Sequence, residues 1–179
     1  MDLHRRLTRA LAVGCAAALF ALRCDAGEAV RVLDVDGQGV VLARPARRVV
    51  SLAPHLTELM FAIGAGDRVV GTVEYADYPE AAKRVPRVGD SALLDLERVV
   101  ALQPDLLLVW RHGNSPQQLQ RLAALNIPTY ASEARTLADI SRTLRDLGTL
   151  TGAQEHAQQR AHAFDGAVSD LRTRYAGRR

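Results

Sequence analysis

Apolar residues recur along this chain in two periods, and the switches between them lay out its elements. Val30, Val32 and Leu33 precede Asp36-Gly37-Gln38-Gly39, and Val40, Val41 and Leu42 follow. Asp-Gly between β-branched runs is a hairpin signal, so residues 30–43 are expected to pair, with Pro45 ending the second strand. The chain then alternates. Val49 to Leu52 reads as a short strand, Thr57 to Ile63 has helical period, and Gly64-Ala65-Gly66 closes it as a cap. Arg68 to Thr72 is a second strand. Leu96 to Leu102 is a short helix with Asp95 at N-cap, stopped before Pro104. Leu106 to Trp110 is apolar throughout, as expected of a strand covered on both faces. Ser115-Pro116-Gln117-Gln118 opens the next helix with Pro at N1 and Gln at N3 of a capping box. Ile127 to Tyr130 is predicted to be a further strand, and Thr136 to about Leu150 a helix broken at Thr151-Gly152.

Strands and helices in alternation, joined by short loops, imply βαβ units around a parallel sheet. The fold class is therefore α/β: a Rossmann-like lobe with its parallel sheet flanked by helices, preceded by the hairpin. The last segment departs from the alternation. From Ala153 to about Tyr175 the only Gly or Pro is Gly166, and Phe164, Val168, Leu171 and Tyr175 fall on one helical face. A long C-terminal helix is expected, with no strand after it.

The first 26 residues look separate from the fold. Arg5, Arg6 and Arg9 form a basic start, Ala10 to Leu22 is an apolar run, and small residues through Ala26 make a plausible cleavage site. That is the plan of a secretory signal peptide. A short N-terminal anchor is the competing reading, although the run falls short of the about 20 residues that span a bilayer. The expected organisation is residues 1–26 as leader, 27–152 as one lobe and 153–179 as the long helix. Both cysteines, Cys15 and Cys24, lie in the leader, so residues 27–179 hold no disulfide or thiol metal site. The net charge of +3 comes mostly from Arg5, Arg6, Arg9 and Arg23 in the leader, and the remaining basic residues are interspersed with acids. Nucleic acid is therefore not an expected partner.

In open α/β sheets ligands bind outside the carboxyl ends of the strands. The residues there are Ala53-Pro54-His55-Leu56, Val73 to Tyr78, Trp110 to Asn114, and Ala131-Ser132-Glu133. This rim would hold the single tryptophan and three of the four tyrosines, counting Tyr130. An aromatic surface with amide and guanidinium donors suits a large, planar, partly polar ligand. Trp110 and Tyr130 could equally be core side chains at strand ends. Phosphate-cradling loops of the GxGxxG and GxxxxGK[ST] kinds are absent, as is a G-x-S-x-G nucleophile elbow, which speaks against nucleotide enzymes and serine hydrolases. His55 and His112 share the rim, but two histidines without an obvious carboxylate make a weak metal site, and no metal is expected.

At these rim residues the chain resembles a family. Arg48-Val49-Val50-Ser51-Leu52-Ala53-Pro54 with Thr57-Glu58-Leu59, Gly71 to Pro79, and Leu96-Glu97-Arg98-Val99-Val100-Ala101-Leu102-Gln103-Pro104-Asp105-Leu106 resemble the class III solute-binding proteins of ABC importers, the helical-backbone metal receptors. Trp110-Arg111-His112-Gly113-Asn114 is narrower and resembles the W-R-x-G-N stretch of periplasmic cobalamin-binding proteins. The resemblance covers nearly all of residues 30–175. It implies two α/β lobes joined by a long connector helix, with the ligand clamped between them; the helix from Ala153 matches the connector, and a second lobe is missing from this sequence. It further implies a periplasmic, monomeric, non-catalytic protein without a cofactor, whose cargo is cobalamin or a related corrinoid and whose partner is an inner-membrane permease. Tyr75 and Trp110 match aromatics laid against the corrin, Pro54, His55 and Leu56 match a backbone contact, and Arg111, Gly113 and Asn114 lie in the contact loop. An aromatic that the family carries near Asp90 to Leu93 is missing here. Asp90 also stands where haem-binding relatives place a tyrosine ligand. Glu97 matches an acid that docks on permease arginines, though a Glu in a first helical turn also stabilises the helix dipole. An iron-siderophore or haem binder of the same fold, and a non-transport interaction module pairing through the long helix, are the competing readings.

Overall fold

A computed structural model describes residues 29–90 and 93–177. Strands β1 (Val30–Leu33) and β2 (Gly39–Leu42) pair antiparallel, Val30 opposite Leu42 and Val32 opposite Val40. Those four side chains are buried, while Leu33 and Val41 face outward, as two-residue periodicity requires. Asp34 shapes the connection, its Oδ1 accepting the backbone N–H of Asp36 at 2.9 Å and of Gln38 at 2.8 Å, with Gly37 at φ +74°.

A four-stranded sheet follows, built from β3 (Val49–Ser51), β4 (Val69–Thr72), β5 (Leu106–Trp110) and β6 (Thr129–Ser132). Its order is β4-β3-β5-β6 and every pairing is parallel. Five α-helices accompany it among the described residues: α1 (Pro54–Ala62), α2 (Leu96–Ala101), α3 (Pro116–Ala123), α4 (Leu137–Thr151) and α5 (Gln154–Tyr175). Their starts follow the expected chemistry. Asp95 accepts the Arg98 N–H at 2.9 Å, and capping boxes close at Ser115/Gln118 and Thr136/Asp139. Gly152, at φ +72°, ends α4 in the left-handed conformation.

The apolar run of β5 divides between two cores. Leu106 and Leu108 join Leu56, Met60, Tyr130 and Leu147 on the side of the hairpin, α1 and α4. Leu107 and Val109 join Val50, Val99, Leu122 and Ala131 on the side of α2 and α3. Removing such a buried leucine to alanine costs about 2–5 kcal/mol.

Two expectations are corrected. Strand β6 begins two residues later than Ile127 and continues to Ser132, because Pro128 has no N–H and contributes only its carbonyl, which accepts from Leu107 at 2.9 Å. Helix α1 begins at Pro54, three residues before Thr57, since a proline at N1 needs no donor. Along α5, the Phe164/Val168/Leu171/Tyr175 stripe continues the face that carries Ala157 and Ala161, all six recurring at spacings of three and four residues. Ala157 and Ala161 are buried, Phe164 and Val168 are half-buried, and Leu171 and Tyr175 are about half exposed. The first half of α5 lies against α4, where a Cβ at Gly148 would come within 2.3 Å of the Ala157 Cβ. Asp165 fixes the pair by accepting from Ser141 and, at 2.8 Å, from Arg145. The proposed leader and the final two residues lie outside the described residues. No helix among the described residues is long and apolar enough to cross a membrane.

Candidate functional site

The strand order contains one reversal. From β3 the chain moves outward to β4, then crosses back to β5 on the other flank of β3 and continues to β6. The carboxyl ends of β3 and β5 therefore diverge, and that crevice is where open α/β sheets take ligands. A chain of fully buried hydroxyls anchors one wall of it. Thr57 Oγ1 lies 2.9 Å from Ser51 Oγ and 2.7 Å from Thr72 Oγ1, tying the ends of β3 and β4 to the first turn of α1. Pro54 and His55, at the start of that helix, are thereby set beside the end of β5.

Trp110 is the last residue of β5 and is 39% exposed. Its ring meets that of His55 edge to face, with centroids 5.2 Å apart at 85°. Two neighbours determine where this ring sits. Asn114, itself buried, accepts the Trp110 backbone N–H on Oδ1 at 2.8 Å, returns its own N–H to the Trp110 carbonyl at 2.9 Å, and reaches the Leu52 carbonyl of the β3 end at 3.4 Å. Gly113 lies directly against the indole, and a Cβ there would stand 1.8 Å from a ring carbon. Gly113 and Asn114 thus hold Trp110 rather than offering polar groups outward.

The other predicted residues separate. Arg111 turns toward the hairpin, its Nε 2.7 Å from Asp36 Oδ2. Tyr75 is 81% exposed, with φ at 65°, in the loop after β4. Arg87 fastens that loop from beneath, donating to the carbonyls of Val73 and Ala76 and to Asp77 at 3.1–3.2 Å. With strands about 4.8 Å apart, the ends of β4 and β5 are roughly 10 Å apart, so Tyr75 and Trp110 border one rim without touching the same pocket. Tyr130 does not belong to the rim. It is 2% exposed, and its hydroxyl donates to Asp146 at 2.7 Å in the core, so the core-residue alternative holds for it. Glu97 is exposed in the first turn of α2.

Beside Trp110 the crevice deepens into a cleft of about 300 Å³. Helix α1 contributes His55, Glu58 and Leu59, and helix α4 contributes Ile140 and Thr143. Ser132, Glu133 and Ala134, from the end of β6 beside Trp110, complete the lining. The Glu133 carboxylate accepts from the His112 ring at 2.9 Å and its backbone N–H at 3.2 Å, contacts that hold its pKa below the usual carboxylate range. Burial lowers the pKa of His55, partly opposed by the charge of Glu133, so its imidazole is neutral at neutral pH. His112 therefore does have the carboxylate partner that its sequence neighbourhood did not reveal. No group of three or more His, Cys, Asp or Glu among the described residues could hold a metal ion. Glu58, Ile140 and Thr143 were missed from the sequence. Glu58 lies three residues after His55 on α1, and Ile140 and Thr143 are likewise spaced by three on α4, a spacing that puts each pair on one helix face.

Comparison with known proteins agrees with this fold. The profile of the periplasmic binding protein family matches residues 49–178. A vitamin B12-binding protein of Vibrio cholerae serotype O1 is 39% identical over 132 residues, which are 74% of this chain and 48% of the relative. One from Yersinia pestis is 42% identical over 134 residues, 75% of this chain and 48% of the relative. The crystal structure of the periplasmic vitamin B12-binding protein of Vibrio cholerae superposes with a TM-score of 0.71 at 39% identity, covering 74% of this chain and 52% of that one. A periplasmic heme-binding protein from Pseudomonas aeruginosa superposes at 0.64 with 26% identity, over 70% and 45% of the two chains. The chain spans about half the length of the curated relatives it matches. Its parallel β4-β3-β5-β6 sheet, the rim at the reversal of strand order and a family profile running from β3 through α5 lead to one conclusion: this chain belongs to the periplasmic binding protein family.

Proposed function

We propose that this chain is the solute-capturing part of an ABC importer, that its solute is cobalamin or a related corrinoid, and that it acts without catalysis. The observation that carries this reading is the mounting of Trp110. A half-exposed indole is held at the mouth of the crevice by a glycine against its face and a buried asparagine on its backbone. Such a surface suits the flat face of a large macrocycle, and Tyr75 supplies a second aromatic along the rim. The named relatives bind vitamin B12, which fits the same choice.

In this reading Trp110 and Tyr75 stack on the ligand, the Pro54–His55 backbone and ring border it, and Gly113 and Asn114 act through Trp110. Arg111 braces the contact loop against the hairpin through Asp36. Glu97 is a docking acid for permease arginines, and residues 1–26 direct export to the periplasm and are removed. The described lobe offers the ligand one face, whereas formed pockets bury 70–90% of a ligand, so affinity for this chain alone is expected to be weaker than about 1 μM.

The test is titration with cobalamin followed by tryptophan fluorescence. Trp110 is the only tryptophan, so the signal has a single source. Saturable quenching that Tyr75→Ala weakens, after inner-filter correction, supports the reading. Equal or stronger response to haem or a ferric siderophore would move the assignment to another solute of the same fold.

A further inference from the structure

The cleft between α1 and α4 has a charge character that the stacking surface does not explain. Its volume of about 300 Å³ lies at the lower end for ligand pockets, enough for one arm of a large ligand rather than the whole of it. Leu59 and Ile140 make it partly apolar, and Trp110 stands at its edge. Glu58 and Glu133 are among the polar groups on its walls, and none of the residues lining it is a lysine or arginine.

Three arginines of the surrounding elements are engaged elsewhere. Arg111 is bound to Asp36, Arg142 lies 3.2 Å from Asp139 and Arg145 2.8 Å from Asp165. Arg135 is close enough to help keep Glu133 ionised but does not line the cleft. Both bonds from His112 end on Glu133 Oε2, which leaves Oε1 to accept from a ligand. His55, held neutral by burial, brings no compensating positive charge.

We propose that this cleft is a subsite for hydrogen-bond-donor arms, carboxamides above all, and that Glu58 and Glu133 make it reject carboxylate arms of the same shape. The inference rests on the capture function above and specifies which solutes it accepts: a macrocycle bearing amide side chains rather than one bearing carboxylates. The physical basis is twofold. A carboxylate acceptor gives a charge-assisted bond to an amide N–H. A ligand carboxylate placed there meets like charge from two acids, a repulsion that excludes wrong partners more than it tightens right ones.

The experiment uses the full chain and two probes of nearly identical shape, benzamide and benzoate. Binding is read from the NMR shifts of the Ile140 methyl groups and the Thr143 amide at pH 7.5. Benzamide is expected to move both saturably, with benzoate weaker by about tenfold or more, the size expected of one unfavourable charge contact. Glu58→Gln with Glu133→Gln, which keep shape and remove charge, should bring the ratio toward one. Since Glu58 is exposed, Glu58→Gln alone keeps the test valid should the double variant not fold. Equal or tighter benzoate binding, absence of any shift with either probe, or an unchanged ratio in the glutamine variants overturns the proposal. A second arm compares a corrinoid with amide arms against the same ring with carboxylate arms, by Trp110 quenching. Probe selectivity without binding of either corrinoid removes the corrinoid assignment and leaves the donor-selective cleft standing. Corrinoid binding without selectivity in either arm does the reverse.

Discussion

The seat of Trp110 gives the sharpest test, because it depends on one missing methyl group. Replacing Gly113 by alanine puts a Cβ 1.8, 2.2 and 2.5 Å from three atoms of the indole, against an ordinary contact of roughly 3.5–4 Å. The ring must therefore move by roughly 1.5 Å or more, a shift that His55 on its edge and Asn114 on its backbone oppose. Overpacking of this kind costs about 1–3 kcal/mol, and loss of the edge-to-face contact adds about 0.5–1.5 kcal/mol. At about 2–4 °C per kcal/mol for a domain near 150 residues, Gly113→Ala should lower Tm by roughly 3–18 °C. Melting followed by circular dichroism checks the stability. The emission of the sole tryptophan and its quenching by acrylamide report ring position, and both should shift toward greater exposure. Cobalamin quenching should weaken by about tenfold or more, because a displaced ring no longer presents its face to the ligand. A Gly113→Ala protein with unchanged emission, Tm and cobalamin response would refute the claim that this glycine seats the indole.

Three further outcomes are expected. Gly166, in the exposed middle of α5, has no atom within 4 Å of a built Cβ, so Gly166→Ala should stabilise by about 0.5–1 kcal/mol, seen as a higher urea midpoint. His55 has a folded pKa below its ordinary 6.5, so the unfolded chain binds the proton more readily; stability should fall as pH drops from about 7 through 6.5 toward the folded value, and His55→Gln should flatten that part of the urea-midpoint profile. Acid losses from Glu133, whose pKa is also lowered, lie below its ordinary 4.5 and leave that window clear. Glu97→Arg should leave cobalamin quenching unchanged and reduce cobalamin uptake through the permease; unchanged uptake would remove its docking role.

Much of the fold was legible because local chemistry and tertiary structure agree. The Ser115 and Thr136 capping boxes, Asp95 at its N-cap and Gly152 at its C-cap are short-range hydrogen-bond or φ constraints, and they form where the residues place them. The unbroken apolar run of β5 announced a strand with two covered faces, and it feeds both cores. Strand β6 misled because an apolar residue before a proline looks like strand, while the frame is set by which N–H groups can reach β5. Tyr130 stayed open between rim and core for a related reason: whether a strand-end aromatic points to solvent or toward Asp146 depends on the helix packed beneath it.

The residues alone determined the class of the protein, the order of its elements and the rim where a ligand would meet it, because those follow from periodicity, capping and the rule that strand ends face the crevice. Tertiary structure decided the rest. Arg111 pairs with Asp36 and Glu133 with His112 across separations in sequence that no local pattern encodes. Asn114 is drawn inward to join the ends of β3 and β5, and the apolar face of α5 is fully covered only at Ala157 and Ala161, with Gly148 of α4 closely apposed at Ala157. Above all, the cleft beside Trp110 exists only where α1, α4 and the end of β6 converge, and its acidic walls come from residues distant in sequence until the fold brings them together.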